Sequence, residues 1–245
     1  MPSASATGWC GCRWASSTPT TCSRTSSPPS TGSRLPELPE IEAYRRLAER
    51  VVGRRVARVD APDAWYLKGG LTAGALAAAL DGRRLTAARR IGKLLLVDTD
   101  GPTVGLRFGM TGRLLVDGVP GVDELQHASV RDVPAWDRVV LGFAEGGELR
   151  VRDPRRLGGV SLDPDEGALG VDAAAVRPAE LRRLLAGSAA PLKARLMDQA
   201  RLAGVGNLIA DEVLYRAALD PARPAGSLDD AEVRRLHRHL RATID

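Results

Sequence analysis

Three regimes of hydrophobic patterning divide the chain. From Pro39 onward, apolar side chains recur at Ile41, Tyr44, Leu47, Ala48 and Val51, a spacing that predicts one amphipathic helix ended by Gly53. Between Arg55 and about Leu162 the pattern turns mostly to short strands: Arg55 to Val59, Leu85 to Ile91, Leu94 to Asp98, Val104 to Phe108, Leu114 to Val116, Val139 to Phe143 and Leu149 to Val151. Asp100-Gly101 and Gly146-Gly147 supply turns between neighbours, and a short helix from Thr72 to Leu80, closed by Gly82, interrupts the series. After Asp163-Pro164 the helical period returns, near Ala179 to Ala186, Leu192 to Arg201, Leu208 to Ala217 and Leu228 to the end. Ser227 followed by Asp230 suggests an N-cap and first-turn acid for the last helix. The expected class is therefore α+β: a β-sandwich or barrel domain over 35–165 with flanking helices, then a helical domain over 166–245.

Residues 1–34 follow none of these patterns. Nineteen of them are Ser, Thr or Pro and none is acidic, so they cannot bury enough apolar surface to offset ordering entropy. The segment lacks the basic start and continuous apolar run of a signal peptide. Cys10, Cys12 and Cys22 all fall within it, an odd set that builds neither a disulfide framework nor a zinc site. We read it as a disordered leader that reflects a start assigned too far upstream, with Leu35 as the initiator and Pro36 exposed once the initiating methionine is removed. That distinction is chemical: an internal proline nitrogen is a tertiary amide, whereas a terminal one is a secondary amine with a free lone pair.

The formal charge of +5 falls to +2 when Arg13, Arg24 and Arg34 are set aside, leaving 32 basic against 30 acidic residues. An anionic partner must then be met by local clusters, of which Arg83-Arg84, Arg89-Arg90 and Arg152 with Arg155-Arg156 are the candidates. No apolar run is long enough to cross a membrane, and no nucleotide-binding glycine fingerprint occurs in a suitable context.

Five motifs carry chemistry. Pro36-Glu37, as a free N-terminus, offers an amine with a reference pKa of about 7.7 to 8.0 that can attack a sugar C1′, beside a carboxyl group that can shuttle protons. Arg89-Arg90-Ile91-Gly92-Lys93 places one of only three lysines at the start of an apolar strand, where a compact ammonium can bind phosphate or lend a proton. Gly109-Met110-Thr111-Gly112-Arg113 is a turn between strands, and Asp153-Pro154-Arg155-Arg156-Leu157-Gly158 is a loop with surface arginines. In Gly204-Val205-Gly206-Asn207-Leu208, two glycines and an asparagine open a helix, so that backbone N–H groups face an anion such as a phosphate.

Taken together and in this order, PELPE, RRIGK, FGMTGRL, DPRR and AGVGNLIADE resemble the formamidopyrimidine-DNA glycosylase and endonuclease VIII family of base-excision repair enzymes. The resemblance implies a β-sandwich followed by a helix-two-turns-helix domain, with damaged duplex DNA between them. It implies a monomeric, cytoplasmic enzyme that removes oxidised purines and cleaves the strand as a lyase; an oxidised-pyrimidine preference and a non-catalytic DNA-binding relative are the alternatives. By the same resemblance Pro36 is the Schiff-base nucleophile, Glu37 its proton-transfer partner and Lys93 the phosphate-contacting lysine. Gly206 and Asn207 form the phosphate-binding turn, and Met110, Arg155 and Leu157 fill the space left by the flipped nucleotide.

The chain departs from the family pattern in three places. Arg107 stands where histidine is frequent, Leu157 where an aromatic wedge is frequent, and no cysteine follows Cys22 to build the zinc ribbon common at the family's C-terminus. No cofactor is expected in this chain, with zinc tied to a finger beyond Asp245. His237 and His239 are expected to face solvent.

Overall fold

The computed structural model describes residues 36–122, 131 and 133–245; the leader and its cysteines lie outside them. The first helix, α1 (Leu38–Ala48), starts at Glu37, whose backbone N–H donates to Glu40 Oε2 at 3.1 Å. Gly53, at φ +92°, turns the chain into β1 (Val56–Asp60). A turn at Ala64–Tyr66 and helix α2 (Ala73–Leu80) follow.

Two antiparallel sheets make the sandwich. One contains β2 (Leu85–Ile91), β3 (Leu94–Thr99), β4 (Val104–Arg107) and β9 (Gly159–Leu162), hydrogen-bonded in that order. The other runs β1, β7 (Asp137–Phe143), β8 (Glu148–Arg152), β5 (Arg113–Val116) and β6 (Val119–Pro120). β3 is buried at every position except Asp98, as its run of four apolar residues requires of a strand covered on both faces. β9 was not expected from the sequence, because its Gly-Val-Ser-Leu run is too short and too polar to mark a strand on its own. Its pairing of Leu106 with Val160 closes the sheet beside the loop that carries Arg155 and Leu157.

The helical part begins with β10 (Val171–Asp172) and α3 (Pro178–Leu185), continues through α4 (Leu192–Leu196) and β11 (Leu202–Ala203), and ends with α5 (Asn207–Ala217) and α6 (Asp230–Ile244). β10 and β11 pair in parallel. Each part has its own apolar cluster, and α1 serves both: Ile41, Tyr44, Leu47 and Ala48 pack into the sandwich, whereas Leu38 belongs to the helical cluster.

Three expectations need correction. The helix expected over 192–201 stops at Leu196, because Asp198 Oδ1 accepts from Ala200 N and the Gln199 amide bonds Met197 O, Val205 O and Gly204 N, which fixes the turns on either side of β11. Ser227 does not cap α6. Its hydroxyl donates to Pro224 O, while Asp229 Oδ1 accepts from Glu232 N at 2.8 Å and Glu232 Oε2 from Asp229 N at 3.0 Å. That reciprocal pair satisfies two donors at once, more than a serine alone can. His237 and His239 are half-buried, and His237 Nε2 lies 2.8 Å from Val176 O, tying α6 to the segment before α3.

The turn from β4 to β5 is closely packed. Gly109 has φ +57°, Tyr44 Oη donates to Gly112 O, and the Tyr44 and Phe108 rings lie 4.6 Å apart. A Cβ on Gly112 would lie 2.3 Å from Phe108 O, a backbone atom that cannot move aside. Gly112→Ala is therefore expected to cost about 1–3 kcal/mol of stability, measured as a lower urea midpoint with an unchanged m-value.

Candidate active site and nucleic-acid interface

The residues singled out in the sequence gather into two clusters. In the first, Pro36 is buried and Glu37 is 5% exposed. Glu37 Oε1 accepts from Leu208 N and Oε2 from Ile209 N, each at 3.0 Å. These N–H groups belong to the first turn of α5, the positive end of its dipole. These two N–H groups are therefore taken by the Glu37 carboxylate. Asn207 remains outward and exposed, its amide donating to Asp211 Oδ2 at 3.3 Å. Gly206 is buried, and a Cβ there would lie 2.1 Å from Glu37 Oε1 and 2.6 Å from Lys93 Nζ. The glycine is thus required by the convergence of these two groups and not by its extended backbone.

Lys93 follows the turn between β2 and β3 and is half-buried. Burial pulls its ammonium below the ordinary lysine pKa, and the negative charge of Glu37 opposes that shift. The turn itself is docked. Gly92 has φ +56°, and a Cβ there would lie 2.7 Å from both Ala203 Cβ and Gly204 N. Asp172 Oδ2 accepts from Gly92 N at 2.7 Å and from Arg90 Nη1 at 2.6 Å, while Arg90 Nε donates to Glu42 Oε2 at 3.2 Å. One carboxylate from the helical part therefore holds the hairpin that presents Lys93.

The second cluster is built around Asp153, which is fully buried. Its Oδ1 accepts from the Thr111 hydroxyl and from Arg155 N at 3.1 Å, and its Oδ2 accepts from Gly158 N at 2.9 Å. The loop that bears Arg155 and Leu157 is thereby locked to the turn that bears Met110. Met110 is 37% and Leu157 47% exposed, and Arg155 is exposed as well. A Cβ on Gly109 would lie 2.8 Å from Leu157 Cβ, so the two loops touch.

Most of the arginine clusters proposed from the sequence serve the fold instead. Arg89 bonds Asp98 and Glu166, Arg90 bonds Glu42 and Asp172, Arg152 is buried against Asp137, and Arg156 bonds Asp63. Arg155 keeps an exposed side chain with no acidic partner among the described residues.

Comparison with known proteins matches this arrangement to one family. The profile described as the formamidopyrimidine-DNA glycosylase N-terminal domain covers residues 35–160, and that described as the formamidopyrimidine-DNA glycosylase H2TH domain covers 169–245. The chain belongs to the formamidopyrimidine-DNA glycosylase family. The glycosylase of Paracoccus denitrificans is 37% identical over 224 residues, which cover 86% of this chain and 77% of that protein. The crystal structure of the MutM (Fpg) protein of Thermus thermophilus matches with a TM-score of 0.68 at 33% identity, covering 84% of this chain and 74% of that one. Lactococcus lactis Fpg in complex with DNA containing an abasic site matches with a TM-score of 0.70 at 25% identity, covering 84% and 76%. The sandwich followed by a helix-two-turns-helix domain is thus the family fold.

Two residues of this glycosylase's site escaped the sequence reading. Asp172 carries no local signal, since its partners lie about 80 positions away. Lys193 was not singled out; its Nζ lies 2.6 Å from Asp211 Oδ1, the carboxylate that also accepts from Asn207. Among the described residues, no group of three or more His, Cys, Asp or Glu side chains is arranged to hold a metal ion. Nor is any helix among them long and apolar enough to cross a membrane.

Asp172→Ala is expected to fold yet to lower the single-turnover rate by about 10- to 100-fold, the scale on which small misplacements of a reacting group act. DNA affinity measured alongside should change little. Lys93 gives a pH signature in stability. Its pKa is lower folded than unfolded, so between those two values the unfolded chain binds more protons and stability rises with pH. The stability of the wild type relative to Lys93→Met should therefore increase as pH is raised from 7 towards 10, read from unfolding midpoints.

Proposed function

We propose that this glycosylase removes oxidised purines from duplex DNA and cleaves the strand through an amine at Pro36. The observation that carries the reading is the convergence of Pro36-Glu37, Lys93 and Gly206 at the start of α5. A secondary amine at Pro36 attacks C1′ of the damaged nucleotide as the bond from C1′ to the base breaks, and the base departs with a proton taken from water. The attacking nitrogen gives up its own proton to the Glu37 carboxylate, which passes it to the ring oxygen as the sugar opens to an iminium. Loss of a C2′ proton then ejects the 3′ phosphate, and a second elimination ejects the 5′ phosphate.

The other residues fit this scheme by their chemistry. Lys93, half-buried and with its pKa lowered by that burial, is suited to contacting a phosphate and to moving a proton. Asn207 at the start of α5, and Lys193 on α4, both bonded to Asp211, are suited to meet a phosphate beside the flipped nucleotide. Met110, Arg155 and Leu157 offer an apolar and cationic plug for the gap that extrusion leaves, a step that costs a few kcal/mol of unstacking. The enzyme works on DNA, so a cytoplasmic site of action accords with the reading.

Borohydride trapping on a duplex carrying one 8-oxoguanine tests the mechanism. A chain starting at Pro36 should form a covalent adduct, and the chain starting at Met1, whose Pro36 nitrogen is an amide, should not. Absence of an adduct with the Pro36 start, despite binding to abasic-site DNA, would remove the amine from the mechanism.

A further inference from the structure

Trp65 is 68% exposed on the turn Ala64–Tyr66, in a chain whose aromatic content is 4%. The turn is held rigidly. Tyr66 beneath it is fully buried, and its hydroxyl donates to Arg107 O at 3.3 Å. Asp63 Oδ1 accepts from Trp65 N at 3.1 Å, and the same carboxylate takes Nε and Nη2 of Arg156 at 2.7 and 2.8 Å. Lys68 Nζ lies 5.2 Å from the centroid of the Trp65 ring and donates to Trp65 O at 2.7 Å. Segment 63–68 also packs on the end of the loop that carries Arg155 and Leu157. A Cβ on Gly158 would lie 2.3 Å from Tyr66 Oη, and one on Gly159 would lie 2.5 Å from Lys68 Cε. The two segments form one packed unit, which carries Trp65 and Lys68 as well as Arg155 and Leu157.

We propose that Trp65, with Lys68, is a further DNA contact of this enzyme, extending the surface formed by Met110, Arg155 and Leu157. The partner follows from charge and shape. Asp63, the acid within this unit that anchors the turn, is neutralised by Arg156 and lies 3.3 Å from Arg138, so the outward groups are cations and an aromatic ring. A flat ring beside an ammonium suits a nucleotide, whose base or sugar lies against the ring while its phosphate meets the ammonium. Trp65 thus supplies an aromatic contact on the side of the interface where the loop itself ends in Leu157. The inference rests on the reading of the Arg155 surface as the one that meets DNA.

The test uses the full chain and a labelled duplex containing a tetrahydrofuran abasic-site analogue, with affinity read by anisotropy at fixed salt. Trp65→Ala is expected to weaken binding by about 10-fold, the scale of one aromatic stacking contact, without moving the unfolding midpoint. Trp65→Phe, which keeps a ring, should retain most of the affinity. Intrinsic fluorescence gives a second readout. The other tryptophans are Trp9, Trp14 and Trp136, so the emission missing from Trp65→Phe belongs to Trp65, and the duplex should quench it. If Arg155→Ala weakens binding while Trp65→Ala does not and the Trp65 emission is unmoved, the proposal fails and the Arg155 surface stands. If both variants bind as wild type, that surface is not the DNA-binding one and the proposal falls with it. Self-association of the wild type that Trp65→Ala abolishes, with no loss of DNA affinity, would assign the ring to a second copy of the chain and overturn the proposal.

Discussion

The contact on which the site depends is that of the Glu37 carboxylate with the first turn of α5. A helix start leaves backbone N–H groups without intrahelical partners, and a buried start must find acceptors for them. Here the acceptor comes from a residue 171 positions away, immediately before α1. The exchange is mutual: α5 gains a carboxylate at the positive end of its dipole, and the segment that begins at Pro36 is fixed against the helical part. The remaining geometry follows. Gly206 must lack a side chain because Glu37 and Lys93 both approach it, and Lys93 is desolvated because the two parts close around it.

That closure explains how a nearly neutral folded region can bind a polyanion. The arginines that looked available in the sequence are largely neutralised by acids inside the fold, where they hold elements together. Arg90 is a clear case, with a side chain only 9% exposed and carboxylates of α1 and β10 both bonded to it. Arg155 and Lys68 are among the cations that still face outward, and both sit on loops fixed by hydrogen bonds to the fold. A polyanion is then met by the position of a few charges and not by the sum over the chain.

How much was legible in the sequence tracks how local the determining interactions are. α1, the β3 run and α5 were all readable, because their apolar spacing is set within a dozen residues. The end of α4 was misread because the turns after Leu196 are made by Asp198 and Gln199 side chains bonding the backbone, a choice that apolar spacing does not encode. The cap of α6 was misplaced by two residues, since Ser227 and Asp229 both have capping side chains and only the partner Glu232 decides between them. Glu37, Lys93 and Gly206 were each legible as motif residues. What the sequence did not reveal was that the α5 N–H groups belong to Glu37, because nothing near Leu208 signals an acceptor so distant in the chain.

The same distinction separates residues that react from residues that place them. Asp172, Asp153 and Asp63 each grip a loop that presents a functional group: the Lys93 hairpin, the Arg155 loop and the Trp65 turn. In all three the carboxylate accepts from at least one backbone N–H and from a side chain as well, so a single short residue fixes both the path of the loop and a neighbour that crosses it. An aspartate suits this role because its carboxylate lies close to its own backbone and loses little side-chain entropy on being held. A longer acid would reach the same donors only with more freedom to lose. Lys93 and Arg155, both long side chains, are thus carried on loops whose stiffness resides in the short acids beneath them.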